Sequence, residues 1–255
     1  NLAQTAADLG AFPINYMEIT DLIKGDTGFV DGVMARDNIN GELFEINARA
    51  VVNATGIFSD SILKMDDDSH KNIIQCAQGI HLVLDKEFLP GDSAIMVPHT
   101  DDGRVLFAVP WHGKAIVGTT DTPIDNPSLE PIALEEEIEF ILRHAKQYLS
   151  KDPTRADVKS VFAGLRPLVK PSDEKSTSEI SRSHHIQISK SGLVTIAGGK
   201  WTTYRKMAED TIDRAAMVAG VEFHKTKTKN QRIHGWLKNV DRENPLHVYG
   251  SDIVA

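Results

Sequence analysis

The sequence has almost no cysteine: Cys76 is the only one among 255 residues. A single cysteine excludes an intrachain disulfide and is typical of proteins from reducing compartments. A catalytic thiol is one interpretation of Cys76. A buried structural residue is the expectation, because no neighbour in the sequence would lower the pKa of this thiol.

Long apolar runs and strong basic charge are missing as well. No apolar run approaches the ~18 residues that a membrane span needs. The formal net charge is −8 and no basic stripe stands out, so nucleic acid is not expected as a partner. The densest basic run, residues 225–229, is interpreted as a solvated linker.

Strand and turn signals dominate the first 56 residues after a short helix that Gly10 ends. Two strand patterns flank Asn40-Gly41, a dipeptide that favours a two-residue hairpin turn. The run "RAVVNATG" predicts a strand buried on both faces. The polar, acidic residues 60–72 predict a loop or a crossing between domains.

Residues 74–122 predict an antiparallel sheet of strands joined by turns at Asp102-Gly103 and His112-Gly113. "PIALEEEIEFILRHAKQYLS" has apolar residues at helical spacing and acids in its first turns, which predicts a helix. A strand in "VKSVFAGLRPLV", a hairpin turning at Ser191-Gly192 and a helix over 202–219 are predicted after it.

"IAGGKWTTYRKMAED", residues 196–210, places two glycines between a strand and a helix. Gly198 and Gly199 would let a flat ligand approach the backbone, and Thr202 or Thr203 would cap the helix. The helix N-terminus favours an electronegative ligand atom. An ordinary strand–helix turn is the alternative, although it gives no reason for Lys200.

Three further charged or polar residues lie at strand positions. Arg166 in "AGLRPLV" and Arg182 in "SRSHH" could each bind a phosphate or carboxylate through two hydrogen bonds, or be ion-paired surface residues. His81 in "QGIHLVL" is either a core histidine or a base. Thr55 and Gly56 in "NATG" end a strand as a plain turn or as a ligand-facing one. His99, His112, His184 and His185 show no metal-ligand spacing.

Taken together and in order, these segments resemble one family, the FAD-dependent glycerol-3-phosphate dehydrogenases of the D-amino-acid-oxidase-like flavoprotein fold. The matching stretches are "ARAVVNATG", "QGIHLVL", "VPWHGKAIVGTTDTP", "FAGLRPLV", "SRSHHI", "IAGGKWTTYRKMAEDTID" and "RIHGW". They cover most of residues 1–235.

The resemblance implies an α/β (α+β) fold: part of a discontinuous FAD-binding domain plus an antiparallel-sheet substrate domain. Residues 1–73 and 190–229 are expected to form the FAD-binding part and residues 74–189 the substrate domain. Residues 230–255 are expected to be a linker and the start of a C-terminal helical domain. We expect the chain to be an internal piece of a longer protein.

The resemblance also implies the chemistry: oxidation of glycerol 3-phosphate at FAD, with electrons passed to quinone. It implies peripheral contact of the full-length protein with the inner, cytoplasmic face of the cell membrane. The residues it implies are, for catalysis, His81 and Arg166; for substrate binding, Arg166, Arg182 and Lys200; and for FAD, Thr55, Gly56, Gly199, Lys200, Thr202, Thr203 and Tyr204.

One element of the family pattern is absent from the sequence. The GxGxxG motif that holds the FAD pyrophosphate has no counterpart, since Gly28, Gly32 and Gly41 have the wrong spacing. We therefore expect this chain to be inactive alone. Two other functions stay open at this point: a flavin oxidase of the same fold acting on an amine or amino acid, and a β-rich binding module without catalysis.

Overall fold

The structure is a computed structural model that describes residues 1–98, 100–101, 103–170 and 184–254. The four α-helices of the described residues are α1 (Leu2–Asp8), α2 (Ser59–Asp66), α3 (Glu135–Ala145) and α4 (Tyr204–Val218). The strands are β1 (Met17–Lys24), β2 (Val30–Asp37), β3 (Leu43–Asn47), β4 (Val52–Asn53), β5 (Ile74–Asp85), β6 (Ile95–Val97), β7 (Leu106–Trp111), β8 (Lys114–Gly118), β9 (Thr122–Ile124), β10 (Ser160–Val169), β11 (His184–Ile188) and β12 (Val194–Gly198).

The chain divides into two compact units. The first contains Asn1–Val52, Ile188–Val194 and Thr203–Ala255, and the second contains Asn53–Gln187 and Thr195–Thr202. Both units are discontinuous in sequence. The predicted roles of residues 1–73 with 190–229, of 74–189 and of 230–255 stay predictions.

The first unit contains an antiparallel sheet in the order β1-β2-β3. The predicted hairpin is present, with Gly41 at a φ of 81° where a side chain would be disfavoured. Its loop spans residues 38–42, longer than the predicted two-residue turn, and the Gly41 N–H donates to the Asp37 carbonyl at 2.7 Å. In the same unit His234 lies between the carboxylates of Asp8 on α1 and Asp252.

The second unit is built on a six-stranded antiparallel sheet with the path β10-β5-β8-β7-β6, and β9 pairs with β5 off this path. One face is a core, because the alternate residues Ile80, Leu82 and Leu84 of β5 are fully buried. Helix α3 packs on this face through Ile138 and Ile141. Acids in its first turn and bases in its last suit the helix dipole. The predicted antiparallel sheet with one helix is confirmed.

Two predictions about residues 49–72 are wrong. The expected strand "RAVVNATG", buried on both faces, is a strand only at Val52–Asn53, and Val52 is 37% exposed. The stretch 60–72, predicted to be a loop, contains most of α2, whose Ile62 and Leu63 are buried. A short helix needs only one such apolar pair against the core, which is too few residues for a visible period.

The predicted hairpin around Ser191-Gly192 is confirmed as β11 and β12, which lie in a three-stranded sheet with the order β11-β12-β4. The Gly192 N–H donates to the Ser189 carbonyl at 3.1 Å, which closes the turn. The helix expected over 202–219 is α4, and it begins at Tyr204.

Candidate functional site

The face of the six-stranded sheet opposite to α3 carries a row of side chains across five strands. Phe162 pairs with His81, His81 with Gly118, Gly118 with Phe107, and Phe107 with Met96. Residues paired across antiparallel strands point to the same face. Phe162 and Phe107 are 47% and 46% exposed, so this face offers an apolar surface, and His81 lies in the row between these two rings.

His81 is held flat within this row. Its ring stacks on Phe162 with a centroid distance of 5.1 Å and an interplanar angle of 10°. The neighbouring Gly118 makes the space, because a Cβ on Gly118 would contact His81 Cδ2 and lie 2.7 Å from Cγ. Burial, and secondly the charge of Arg166, lower the pKa of His81 below its ordinary 6.5. The imidazole is therefore neutral at pH 7 and able to accept a proton.

Arg166 lies on the same face, four residue pairs further along β5 and β10 than the pair of Phe162 and His81. It pairs with Ala77, and its guanidinium lies over Gly79. A Cβ on Gly79 would contact Nη2 and lie 2.6 Å from Cζ and Nη1. Nη2 donates to Thr119 Oγ1 at 2.9 Å and Nη1 to Asp121 Oδ1 at 3.2 Å. The structure thus places His81 and Arg166 on one face of the sheet, and their predicted roles in one site stay a prediction.

A second cluster in the same unit gathers two of the predicted turns. Ala197, directly before the glycine pair, packs with Ile74 and Cys76 at the start of β5, and Ile57 packs against them. Ile57 directly follows the Thr55-Gly56 turn. Because Cys76 directly precedes Ala77, the partner of Arg166 in the sheet, both turns lie near the end of β5 that pairs with Arg166. Side chains alternate along a strand, so the Cys76 side chain itself points to the face opposite to Arg166.

The Thr55-Gly56 turn is fixed by a residue that the sequence did not single out. Asn53 is 2% exposed; its Nδ2 donates to the Ser59 carbonyl at 3.0 Å and to Thr195 Oγ1 at 3.3 Å. Its Oδ1 accepts from the Thr55 hydroxyl at 2.7 Å. Asn53 is the first residue of the "NATG" motif. Only Thr55 and Gly56 of this motif are assigned a role from the sequence, so the role of Asn53 is missed although the motif contains it.

The glycines of both turns have backbone conformations that exclude most side chains. The φ angles are 60° at Gly56, 73° at Gly198 and 83° at Gly199, in the left-handed region. A ligand can approach such a backbone closely. Lys200 and Thr202 follow as exposed residues.

The remaining predicted site residues lie at the start of α4 or outside the described residues. Thr203 is the N-cap of α4 and Tyr204 its first residue, and both belong to the first unit. The sequence predicts that Thr202 or Thr203 caps this helix. Among the described residues, the Thr203 side chain makes no capping hydrogen bond to α4. Arg182 lies outside the described residues, so its role stays a prediction.

The described residues offer neither a cluster of metal ligands nor a helix that could span a membrane. No group of three or more His, Cys, Asp or Glu side chains is arranged to hold a metal ion there. Within the same ranges, no helix has both the length and the apolar character needed to cross a bilayer.

Comparison with known proteins supplies the wider context. Residues 1–205 match the family model described as FAD dependent oxidoreductase. The chain is 45% identical over 241 residues to the human protein named "Glycerol-3-phosphate dehydrogenase, mitochondrial", and 44% identical over 241 residues to the mouse one. Each alignment covers 92% of this chain and 32% of the relative. The chain thus spans about a third of the length of the curated relatives it matches.

Two solved structures are informative in different ways. The glycerol-3-phosphate dehydrogenase of Bacillus halodurans, complexed with FAD, has a TM-score of 0.79 and 37% identity; the match covers 91% of this chain and 44% of that one. The L-alpha-glycerophosphate oxidase of Mycoplasma pneumoniae, with FAD bound, has a TM-score of 0.58 at 17% identity, covering 84% and 53% of the two chains. The second likeness shows the fold alone.

Proposed function

Since this chain belongs to the family of FAD-dependent oxidoreductases, we propose that it carries the substrate-oxidising centre of a glycerol-3-phosphate dehydrogenase. The match over residues 1–205 confirms the family that the sequence motifs indicate, whereas the substrate and the reaction are proposed. The observation that supports this proposal most strongly is that a neutral imidazole, His81, and a cation, Arg166, lie on the same open face of one sheet.

The substrate is a secondary alcohol that bears a phosphate. His81 accepts the hydroxyl proton, since its lowered pKa keeps the ring unprotonated at neutral pH. Arg166 binds the anion or stabilises the negative charge that develops on the alcohol oxygen, because a planar guanidinium in a partly desolvated site favours such charge. Lys200 adds a second positive charge for the phosphate.

The chain has features that suit FAD. The turns at Gly56 and at Gly198-Gly199 leave backbone without side chains near the end of β5 that pairs with Arg166. Thr55, Gly56, Gly199 and Lys200 would hold the flavin end, with Thr202, Thr203 and Tyr204 at the start of α4. When bound, FAD supplies hydride acceptance; the protein positions the alcohol and its proton acceptor.

The finer parts of the proposal rest on resemblance. Quinone as electron acceptor and peripheral attachment at the cytoplasmic face of the membrane follow the family resemblance, while the human and mouse relatives are named mitochondrial. Because GxGxxG is absent from this sequence, we include in the proposal that this chain alone is inactive. A flavin absorption band surviving gel filtration of the 255-residue chain would contradict that point.

Two other functions are weighed against this one. A binding module without catalysis is disfavoured by the family match over residues 1–205. An amine or amino-acid oxidase of the same fold is the stronger rival, and the charge of the substrate separates the two. Arg166 and Lys200 suit a phosphate dianion better than an ammonium group.

The test is steady-state kinetics of the full-length FAD-loaded protein with glycerol 3-phosphate, glycerol and glycine. Arg166→Gln should lower kcat/KM for glycerol 3-phosphate by about 10²–10³-fold, the usual cost of removing one charge-stabilising donor. Arg155→Gln is the matched control, because Arg155 makes an exposed ion pair with Glu135. Turnover of glycine in preference to glycerol 3-phosphate would overturn the proposal.

A further inference from the structure

A buried carboxylate lies on the other side of the sheet from the candidate site. Glu137, on α3, is 3% exposed. Its Oε1 accepts hydrogen bonds from the hydroxyls of Thr120 at 2.8 Å and Thr122 at 2.7 Å. Its Oε2 accepts from Gln78 Nε2 at 2.7 Å and from the Leu134 N–H at 3.0 Å. Four donors from three different segments therefore converge on one side chain.

The charge state of Glu137 follows from these contacts. Burial raises the pKa of this carboxyl, but the hydrogen bonds from Leu134, Gln78, Thr122 and Thr120 outweigh it and bring the pKa below the ordinary value. The group is an anion at neutral pH. An anion fixes hydroxyl and amide donors more strongly than a neutral acceptor does.

The segment between β8 and β9 connects Glu137 to the candidate site. Its side chains alternate in direction: Thr120 and Thr122 donate to Glu137, whereas Thr119 and Asp121 accept from Arg166. The Thr120 hydroxyl also accepts from the Ile80 N–H at 3.1 Å, which ties the segment to the central strand β5. Each residue that holds Arg166 is therefore flanked by one that Glu137 holds.

We propose that Glu137 is a positioning residue, which fixes the guanidinium of Arg166 in the site through residues 119–122. Glu137 touches no substrate itself. Its effect on turnover depends on the proposed function, whereas its effect on the arrangement of Arg166 does not. If Glu137 instead served stability alone, its substitution would lower the unfolding midpoint and leave the folded site unchanged.

The test substitutes Glu137→Gln in the full-length FAD-loaded protein. The amide keeps the shape but replaces one acceptor oxygen by a donor, so one pair of hydrogen bonds is lost. Glu136→Gln is the matched control, since Glu136 is the exposed neighbour in the same helix turn. We expect kcat/KM for glycerol 3-phosphate to fall about 10- to 100-fold in Glu137→Gln, because a shift near 1 Å has that order of effect, and to stay at the wild-type value in the control.

A second readout needs no substrate. The charge of Arg166 is one cause of the lowered His81 pKa, so NMR titration of His81 should move towards its ordinary value in Glu137→Gln. If glycerol 3-phosphate is not turned over by the wild-type protein, the proposed function fails, and this titration still decides the role of Glu137. A folded Glu137→Gln protein with the wild-type His81 titration would overturn the inference, as would wild-type kcat/KM wherever the wild-type protein turns over glycerol 3-phosphate.

A pair of substitutions at Thr122 covers the case in which Glu137→Gln does not fold. Thr122→Val removes the hydroxyl that donates to Glu137, and Thr122→Ser keeps it. The valine variant should reproduce the kinetic and titration changes, and the serine variant should restore values near wild type. Equal behaviour of the two variants would contradict the proposed connection.

Discussion

Gly79 determines where the Arg166 guanidinium lies, and Gly79→Ala tests this directly. A Cβ at this position would lie 2.6 Å from Arg166 Cζ and Nη1, whereas carbon atoms in contact are about 3.5–4.0 Å apart. The guanidinium must therefore move by roughly 1 Å. The atoms displaced are the far end of a flexible side chain, so the backbone of β5 and β10 need not shift.

The expected magnitudes separate activity from stability. A misplacement of about 1 Å costs up to ~100-fold in kcat/KM, which corresponds to about 2.7 kcal/mol of transition-state stabilisation. The free energy of unfolding should change little. Gly→Ala at an unstrained position lowers the conformational entropy of the unfolded chain, which stabilises the folded state by about 0.4–1 kcal/mol. That gain offsets part of the lost contacts of Arg166 with Thr119 and Asp121.

The chain offers a matched control for this substitution. Gly164 pairs directly with Gly79 across β10 and β5, and a Cβ on Gly164 would meet no described atom within 4 Å. The assay compares the two alanine variants by kcat/KM with glycerol 3-phosphate and by urea unfolding. A double variant with Arg166→Gln completes a cycle, in which Gly79→Ala should have no further effect. Additive losses in the cycle, or equal losses in both glycine variants, would refute the reasoning.

Three other predictions concern different parts of the molecule. Because the His81 pKa lies below 6.5, kcat/KM should fall as pH decreases through this lowered pKa, and His81→Asn should lose that limb of the pH profile. The hydrogen bond with Asp8, and secondly that with Asp252, raise the pKa of His234 above 6.5. The ion pairs of His234 with these two carboxylates therefore stabilise the folded chain fully below the pKa that His234 has in the unfolded chain. This stabilisation is lost as pH rises through the raised pKa of the folded state. The protection factor of the Ser251 N–H, which donates to the Gly235 carbonyl, should fall over that rise in the wild type but not in His234→Gln, after the intrinsic pH dependence of hydrogen exchange is divided out. Asn53→Ala should cost about 1–3 kcal/mol in urea unfolding, since it leaves buried partners unsatisfied, whereas Ala at the exposed Asn47 should cost little; equal midpoints would contradict the role given to Asn53.

The sequence was informative wherever a segment carried its own signal. The strand patterns in "QGIHLVL" and "FAGLRPLV" put His81 and Arg166 on the strands where the structure has them. The small residues of the "GGKWTT" and "NATG" turns predicted open backbone, and Gly56 and Gly199 have positive φ. These features depend on neighbours in sequence, which motif reasoning can see.

Features that depend on packing between distant segments could not be predicted in this way. Glu137 is one of three consecutive acids that open α3, and all three suit the helix dipole equally. Only the fold distinguishes the one that is buried against Thr120 and Thr122. Likewise, the hydrogen bond between Arg166 and Asp121 joins residues that lie 45 positions apart, Arg166 in β10 and Asp121 in the segment between β8 and β9.

The most direct test of the central claim is anaerobic flavin reduction in the full-length FAD-loaded protein. We expect glycerol 3-phosphate to bleach the oxidised flavin band rapidly. Arg166→Gln should slow this bleaching by about 10²–10³-fold, and Arg155→Gln should not. Bleaching by glycine but not by glycerol 3-phosphate would contradict the account, as would bleaching by glycerol 3-phosphate at the same rate in Arg166→Gln and wild type.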